Sequence, residues 1–456
     1  MVTLAELLSR VDAARDELIA LTQDLVRFRT VSTGVMPTGN ETPAAQFLHD
    51  LFAREGIASE VVESAPTRGS VVARIKGDGT AQSLMLMGHL DVVPVEDPAQ
   101  WKHDPFGAVI ADGRIHGRGA CDMKGMVAAE VIAALILKRA GVHFRGDLVV
   151  AAGADEESGG AYGFDWLAKH RPDLLRSDVA INEGGGTPIK RGNVLTYPVN
   201  VGEKGRLEVF ITVTGKGYHA SAPWKADSAI MKAIPVLERI AAWTPEVSVD
   251  ADMFRHLDSA LGIAEKPTKE NIDGIIARLA RTNDSAASWL RAASRMTLVA
   301  SMIQAGVKSN SVAETCRITC DVRTLPWQNE AYVAKQLDGI LAGLPGVSYE
   351  SKATAIPSAS TWDHPFIDSV EAATRDALGR QDLVFFPGLT TGFTDSRLVR
   401  HLGIIAYGFG AAHPDSDPSL NGAHNIDESV AIDDLLVMCR MMVALAWRVS
   451  VEGDAA

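Results

Sequence analysis

The segment Ser83–Asp91, with the sequence SLMLMGHLD, is typical of a buried β-strand that ends in a histidine. Its apolar run is short and unbroken, as in a parallel strand covered on both faces. Two later apolar runs end in acids instead: DLVVAAGADEE at residues 147–157 and DVAINE at residues 178–183. Because ligands gather beyond the carboxyl ends of strands in open α/β sheets, we expect these polar residues at one edge of a sheet.

Five side chains form a candidate ligand set for two metal ions: His89, Asp122, Glu157, Glu183 and His424. Two imidazoles and three carboxylates are ligands that borderline-hard divalent cations prefer. Asp122 lies in a glycine-rich turn, GRGACDMKG, and its two oxygens can bridge cations about 3.5–4 Å apart. An ordinary helix cap is the alternative interpretation of Asp122.

Two further acids have candidate supporting roles. His89 and Asp91 form an H-x-D pair at a strand end, so the Asp91 carboxylate can accept the second ring N–H of His89. A histidine packed in the core is the alternative for this motif alone. Glu156 and Glu157 point in different directions, so one can bind metal while the other takes a proton from the attacking water. The spacing does not decide which of the two acids has which role. A solvated acidic turn is the alternative interpretation of this pair.

The composition is that of an ordinary globular enzyme of 456 residues, with 46% hydrophobic and 22% charged residues. The formal net charge of -13 argues against nucleic acid or an anionic membrane as the main partner. Residues 1–28 predict an amphipathic helix rather than a signal peptide, and no apolar run is long enough to span a bilayer. The four cysteines form neither a disulfide framework nor a CxxC motif, which favours a reducing cytoplasm.

The order of predicted elements indicates an α/β fold. Strands alternate with helices up to about Gly202, including a well-buried helix at residues 126–139, which predicts a mixed, mostly parallel sheet with helices on both faces. From there the pattern is strand, helix, strand, helix, strand, typical of a smaller α+β domain. We therefore predict a catalytic domain in two parts, 1–202 and 358–456, with an inserted domain at 203–357. A polar, helical insertion within the inserted domain is expected at about 245–304.

Several motifs together resemble the M20 metallopeptidase family. They are HLDVVP (89–94), WKHDPF (101–106), GRGACDMKG (117–125), DEESGG (155–160) and GAHNIDE (422–428). The resemblance covers nearly the whole chain in the right order. The family includes acetylornithine deacetylases, succinyl-diaminopimelate desuccinylases, carboxypeptidases and aminoacylases, and the resemblance implies a zinc-exopeptidase-like fold.

The resemblance also implies how the ligands are divided between two Zn²⁺ ions, for which Co²⁺ or Mn²⁺ can substitute. His89, Asp122 and Glu183 would hold one ion. Asp122, Glu157 and His424 would hold the other, with Asp122 bridging the two.

Two catalytic assignments follow from the same resemblance. Glu156 would be the general base, and Asp91 the partner that orients His89. In relatives the peptide bond that follows the bridging aspartate, here Asp122–Met123, is often cis.

The inserted domain carries the remaining candidates. YHASAP (218–223) resembles the family segment whose histidine stabilises the oxyanion, in cis or from a partner subunit, which makes His219 the candidate. KSNSVAE (308–314) and CDVRTLP (320–326) resemble substrate-binding stretches, with Asn310 and Arg323 as candidates. Arg323 would bind a carboxylate, and a strand-paired arginine is the alternative. In the catalytic domain, TGFTDSR (391–397) implies a substrate contact by Thr394. Relatives commonly dimerise through the inserted domain, so a homodimer is expected.

The predicted function is a two-metal hydrolase acting on a small molecule. The expected substrate is an amide next to a free carboxylate, as in an N-acyl amino acid, a dipeptide or a carboxypeptidase substrate. Water activated by metal would attack the amide, with Glu156 accepting its proton. The alternative is a non-catalytic, metal-stabilised binding or scaffold protein, which would be expected to lose some of the ligands.

Overall fold

The computed structural model describes residues 2–452, and its centre is a ten-stranded sheet. In chain order its strands are β1 (Ala58–Glu63), β2 (Gly69–Ile75), β3 (Leu84–His89), β6 (Leu148–Gly153), β7 (Val179–Gly185), β8 (Ile189–Arg191), β9 (Val194–Glu203), β14 (Ser358–Ala359), β15 (Leu383–Thr390) and β16 (Ile405–Phe409). The spatial order is β1-β2-β6-β3-β7-β16-β9-β14, and β8 and β15 also pair with β9.

The middle of this sheet is parallel. Strand β3 pairs in parallel with β6 and β7, and β7 pairs in parallel with β16. The strands beyond this centre, β1, β2, β8 and β14, pair antiparallel with their neighbours. The central strands therefore end at one common edge, as the apolar runs predicted.

Helices cover both faces of the sheet, as predicted. Along β3, Leu84 and Leu86 face a core shared with α4 and α13, while Met85 and Met87 face a core shared with α5 and α12. The helices packed around the large sheet are α1 (Leu4–Ala13), α2 (Arg15–Arg27), α3 (Thr42–Arg54), α4 (Gly125–Arg139), α5 (Phe164–His170), α11 (Phe366–Leu378), α12 (Ser396–Arg400), α13 (Ile432–Ala446) and a final π-helical turn, Trp447–Glu452.

A separate four-stranded antiparallel sheet lies within the range predicted for the inserted domain. Its strands are β10 (Gly205–Thr214), β11 (Thr297–Ala305), β12 (Thr315–Thr324) and β13 (Val347–Ala355), in the order β11-β12-β10-β13. Helices α6 (Ala229–Ala242) and α10 (Glu330–Leu341) pack on one face and form its core.

The helical insertion is shorter than the predicted range of 245–304. It contains a 3₁₀ turn (Asp252–His256), α7 (Leu257–Leu261), α8 (Ile272–Leu279) and α9 (Asp284–Ala293), but the chain from Thr297 onward is the edge strand β11. Most of β11 is exposed, so its side chains do not alternate between buried and exposed as in a half-buried strand. Its pairing with β12 defines it as a strand.

The insertion also contacts the large sheet. The indole N–H of Trp289 donates to the carbonyl of Leu389 on β15 at 3.0 Å. The buried ammonium of Lys204, in the connection between β9 and β10, donates to the carbonyls of Ala292 and Arg295 at 2.8 Å each. The insertion therefore bonds to the large sheet and to the connection through which the chain passes from the large sheet to the small one.

The N-terminal segment forms two helices rather than the single helix predicted. Ala14 separates them, and its N–H bonds to the carbonyls of Arg10 and Val11. Helix α1 packs against α13 and α2 packs against α4, so the break lets each helix follow its own partner. Among the described residues, no helix is both long and apolar enough to cross a membrane.

Helix α4 is buried along almost its whole length, as predicted, yet it contains the acid Glu130. The Glu130 side chain is fully buried, and within the described part of the chain neither carboxyl oxygen has a hydrogen-bond partner. Burial raises the pKa of Glu130 well above its usual value. The folded protein therefore keeps this group protonated at a pH where the unfolded chain ionises it.

We predict that Glu130→Met stabilises the protein more at pH 8 than at pH 5. With a raised folded pKa, the acid destabilises the native state increasingly as pH rises above its unfolded value near 4.5. The gain at pH 8 should be about 1–3 kcal/mol, the cost of a buried polar group without partners. Calorimetric melting at both pH values measures it. Glu130→Gln, which stays polar but cannot ionise, should remove the pH dependence, and an equal effect of Glu130→Met at both pH values would contradict the assignment.

Candidate metal centre

The five predicted ligands meet at the common edge of the parallel strands. They form two groups, His89, Asp122 and Glu183 in one and Asp122, Glu157 and His424 in the other, and within each group the ligand atoms lie within 4.8 Å of one another. Asp122 belongs to both groups. This is the division that the family resemblance implied.

Asp122 presents one oxygen to each histidine. Its Oδ1 lies 3.1 Å from His89 Nε2, and its Oδ2 lies 3.2 Å from His424 Nε2. His89 Nε2 is also 3.8 Å from Glu183 Oε1, and His424 Nε2 is 3.1 Å from Glu157 Oε2. The peptide bond between Asp122 and Met123 is cis, as the family resemblance implied. The geometry therefore suits a carboxylate that bridges two cations.

A small sheet brings together the segments that carry Asp122 and His424, which lie far apart in sequence. Its strands are β4 (Val109–Ala111), β5 (Arg114–His116) and β17 (Ser429–Ala431). Strand β5 leads directly into the turn with Asp122, and β17 directly follows the loop with His424. Their antiparallel pairing, with Ser429 opposite His116, holds both segments at the same place.

The titration behaviour of the cluster reflects crowded carboxylates. Burial and the charge of Asp122 raise the pKa of Glu183 well above its usual range. Burial would also raise the pKa of Asp122, but hydrogen bonds from His424 and His89 outweigh it and lower that pKa. Bonds to Asp122 and Glu157 raise the pKa of His424 to about 10. Positive charge is therefore strongly favoured between these side chains.

The donor set fits a pair of divalent cations. Each group offers one imidazole nitrogen and two carboxylates, a combination that Zn²⁺ and similar metals bind. Three carboxylates carry three negative charges, which two dications would offset. Because the imidazoles must be unprotonated to bind metal, cations and protons compete for the same positions.

The structure corrects the predicted hydrogen bond between His89 and Asp91. His89 Nδ1 lies 2.9 Å from the backbone carbonyl of Asp91 and 3.6 Å from its carboxylate. The Asp91 carboxylate instead accepts the backbone N–H groups of Glu156 at 3.0 Å and Glu157 at 3.2 Å. The Asp91 carbonyl therefore orients the ring, while the Asp91 side chain holds the acidic turn.

The two adjacent acids lie on a 3₁₀ turn, Glu156–Ser158, beyond the end of β6. Glu157 belongs to the second ligand group, whereas Glu156 belongs to neither. Burial and the nearby charge of Glu183 raise the pKa of Glu156 well above its usual range. A buried acid with a raised pKa beside the cluster has the properties of a general acid–base group.

A buried ion network that the sequence did not reveal supports this turn. Arg68 is fully buried and donates from Nη2 to Asp155 at 2.8 Å and from Nε to Glu41 at 2.9 Å. Asp155 immediately precedes Glu156 and has a left-handed backbone, with φ of 70°. Its second oxygen accepts the N–H of Tyr162 at 3.0 Å. The guanidinium thus holds Asp155, the residue that precedes both acids, in place.

Glu428 supports the other side of the cluster in the same way. Its Oε1 accepts the backbone N–H groups of Cys121 and Asp122, each at 3.0 Å, and its Oε2 accepts from Arg118 at 2.6 Å. Glu428 is the last residue of the GAHNIDE motif. The motif was recognised in the sequence, but it gave no indication of the role of Glu428.

The structure does not join the other four predicted site residues to the cluster through any described contact. His219 and Asn310 lie on neighbouring segments of the inserted domain, where Ala220 N–H donates to the Asn310 carbonyl at 3.0 Å. The His219 ring is exposed and its Nδ1 lies 2.7 Å from Ser221 Oγ. Their substrate roles stay predictions.

Arg323 and Thr394 bond to neighbouring protein groups. Arg323 on β12 donates from Nε to Asp321 at 2.8 Å, which matches the alternative of a strand-paired arginine. Thr394 is buried, and its N–H and hydroxyl donate to Glu203 at 2.7 and 2.8 Å. Its hydroxyl also accepts from Asn182 at 3.2 Å, next to the candidate ligand Glu183. Substrate contacts by these two residues therefore remain predictions.

Comparison with known proteins gives consistent matches. The model of peptidase family M20/M25/M40 matches residues 85–448. A succinyl-diaminopimelate desuccinylase of Methylobacterium nodulans is 29% identical over 430 residues, covering 91% of this chain and 92% of that protein.

Solved structures of similar fold cover nearly the whole chain. An M20 family metallo-carboxypeptidase from Sulfolobus solfataricus has a TM-score of 0.69 at 20% identity, covering 94% of this chain and 98% of its own. A dinuclear metal-binding peptidase of the M20 family from Bacillus subtilis has a TM-score of 0.58 at 17% identity, covering 95% and 98%. At these identities the structures show the fold. Because the family model spans well over half of the sequence, this chain belongs to peptidase family M20/M25/M40.

Proposed function

We propose that this chain is a two-metal hydrolase that cleaves an amide bond next to a free carboxylate. The observation that carries the proposal is the pair of ligand groups joined through Asp122. The names of similar proteins, a desuccinylase, a metallo-carboxypeptidase and a dinuclear metal-binding peptidase, support amide hydrolysis with two metals.

The five clustered side chains would hold the metals, one ion on His89, Asp122 and Glu183 and the second on Asp122, Glu157 and His424. The nitrogen and carboxylate donors favour Zn²⁺, with Co²⁺ or Mn²⁺ as substitutes. When bound, such a pair acidifies water and polarises an amide carbonyl.

Glu156 would move the proton. It accepts a proton from the water that attacks the amide carbon, and it returns that proton to the nitrogen as the C–N bond breaks. The buried position and raised pKa of Glu156 support both transfers, because the group holds a proton more readily than an ordinary glutamate. Asp91 and Arg68 would keep the turn in place through the bonds to Glu157 N–H and Asp155.

The inserted domain would complete the site. His219 is proposed to donate to the oxyanion, either in its own chain or across to a partner, and Asn310 and Arg323 to bind the substrate near its carboxylate. Thr394 is proposed as a substrate contact in the catalytic domain. N-acyl amino acids and peptides with a free carboxylate are equally supported as substrates.

A non-catalytic binding protein is the alternative function. The chain retains all five candidate ligands, the acid Glu156 and the bonds that hold them, which favours catalysis over a scaffold role. We propose that the enzyme works in the cytoplasm, because all four cysteines are free thiols.

An exposed apolar surface on the inserted domain supports a homodimer. Helix α6 exposes Ile230, Met231 and Ile234, and the edge strand β11 exposes Met302 and Ile303. Exposed apolar residues beside an unpaired strand edge are typical of a surface that associates with another chain. We propose that two copies of this chain pair through this surface.

The general-base assignment predicts that Glu156→Gln binds two metals but loses roughly three or more orders of magnitude in kcat, because both proton transfer and water positioning fail. Elemental analysis and turnover of a metal-replete sample measure the two effects. Glu157→Gln is the matched control. Glu157, unlike Glu156, is a proposed ligand, so this variant should lose metal. Near-normal turnover by Glu156→Gln would remove Glu156 from this role.

The bridging assignment predicts that Asp122→Ala lowers occupancy at both metal sites, because it takes a ligand from each group. His424→Ala should lower occupancy at the second site, since it belongs only to that group. Metal per chain, measured after dialysis against limiting Zn²⁺, tests the difference. Equal losses in the two variants would argue against bridging.

The dimer proposal predicts that Ile234→Asp converts a dimer to a monomer, because a charge would be desolvated in the interface. Light scattering coupled to size-exclusion chromatography measures the mass. Ile189→Asp, which alters an exposed isoleucine on β8 outside this surface, should leave the dimer intact. A monomeric native protein, or an unchanged dimer in Ile234→Asp, would refute the proposed interface.

A further inference from the structure

A cavity of about 250 Å³ opens beside the candidate metal centre, entirely within the catalytic domain. It shares Asp122 and Glu183 with the first ligand group, and Asn421 and Ala423 of the loop that carries His424 also line it. We propose that this cavity binds the acyl half of the substrate and selects an uncharged, apolar acyl chain. This inference rests on the proposed amide hydrolysis and names the substrate class more narrowly.

Part of the cavity wall is apolar and is formed by methionines. Met126 on α4 and Met438 on α13 line it, together with Val430 of β17. A Cβ on Gly410 would lie 3.2 Å from Met438 Cε and 3.4 Å from Met126 Sδ, so the two side chains pack close to the bare backbone at this point. Methionine adapts its shape to unbranched ligands, which suits an extended acyl chain.

The charges around the cavity disfavour an acidic acyl group. Among its lining residues in the described chain are three carboxylates, Asp122, Glu183 and Asp434, but no lysine, arginine or histidine. The proposed metals would offset the first two. Asp434 lies outside the ligand groups, and its oxygens accept His413 N–H at 2.9 Å and Ser416 Oγ–H at 2.8 Å. A second carboxylate in the cavity would therefore face a like charge.

The guanidinium of Arg114 interacts with the charge of Asp434 from outside the cavity, and its donors are already bonded to other groups. Arg114 donates from Nη2 to Asn421 Oδ1 at 2.6 Å and to the Ser429 carbonyl at 3.0 Å, and from Nε to Ser429 Oγ at 2.9 Å. Asn421 lines the cavity and Arg114 does not. A succinyl group, whose acyl chain ends in a carboxylate, would meet Asn421 and Asp434 rather than a cation.

The division of the site between domains assigns the cavity to the acyl half. The candidates for the free carboxylate, Asn310 and Arg323, lie on the inserted domain, whereas the whole cavity belongs to the catalytic domain. A substrate whose amide carbon meets the metal centre would then direct its leaving amino acid toward the inserted domain. Its acyl chain is left to occupy the cavity.

The test measures kcat/KM of the metal-replete enzyme on N-acyl derivatives of one L-amino acid. The acyl groups are acetyl, butanoyl, hexanoyl, 4-methylpentanoyl and succinyl, and matching dipeptides carry glycine, alanine, norleucine or glutamate at the N-terminus. We expect kcat/KM to rise roughly three- to fivefold per added methylene until the cavity is filled. The kcat/KM of the succinyl compound should be at least tenfold lower than that of the 4-methylpentanoyl compound, which has a similar shape but no charge.

Variants of one lining residue make the test specific. Met438→Ala should shift the optimum toward longer chains, and Met438→Phe should shift it toward acetyl, with the hexanoyl compound slowed tenfold or more. Met442→Ala is the matched control, because this buried methionine lies one turn along α13 and does not line the cavity. It should leave the chain-length preference unchanged.

The outcomes separate the two proposals. Turnover of the succinyl compound as fast as its neutral counterpart, or a chain-length preference that neither Met438 variant moves, would overturn the acyl cavity and leave amide hydrolysis standing. Failure of the native enzyme to release amine from any member of the panel would overturn both.

Discussion

Repulsion among three carboxylates is the constraint around which this structure is organised. Asp122, Glu157 and Glu183 approach one another at the end of a parallel sheet, where burial makes each uncompensated charge costly. Such an arrangement is stable only if positive charge lies between the acids, whether protons on the histidines or bound cations. The fold supplies rigid support for it, since Asp91 and Glu428 each accept two backbone N–H groups from the segments that carry the ligands.

Much of the centre was predictable because it follows local rules. His89 and Glu183 come at the ends of short apolar runs, and parallel strands bring such ends together. The buried helix α4 and the mixed sheet were predicted from the same alternation. The general base and the division of ligands came from the family resemblance rather than from spacing, since adjacent acids such as Glu156 and Glu157 cannot be distinguished by position alone.

What could not be predicted depends on the three-dimensional course of the chain. The Asp91 side chain bonds to the acidic turn 65 and 66 residues later in the chain, which no strand pattern reveals. Arg68 bonds to partners 27 and 87 residues away, so its role appears only in the folded molecule. Strand β11 was predicted as part of a helical insertion because an exposed edge strand lacks alternation of buried and exposed residues. Its pairing with β12 defines it as a strand. The positions from which His219 and Arg323 would reach a substrate likewise depend on the three-dimensional course of the chain.

The most direct test of the account is a crystal structure of the active enzyme with anomalous diffraction recorded at the zinc edge. We predict two anomalous peaks about 3.5–4 Å apart, with one oxygen of Asp122 directed at each and with His89 and His424 on opposite sides. A single peak, or two peaks of which only one contacts Asp122, in crystals of fully active protein would contradict it.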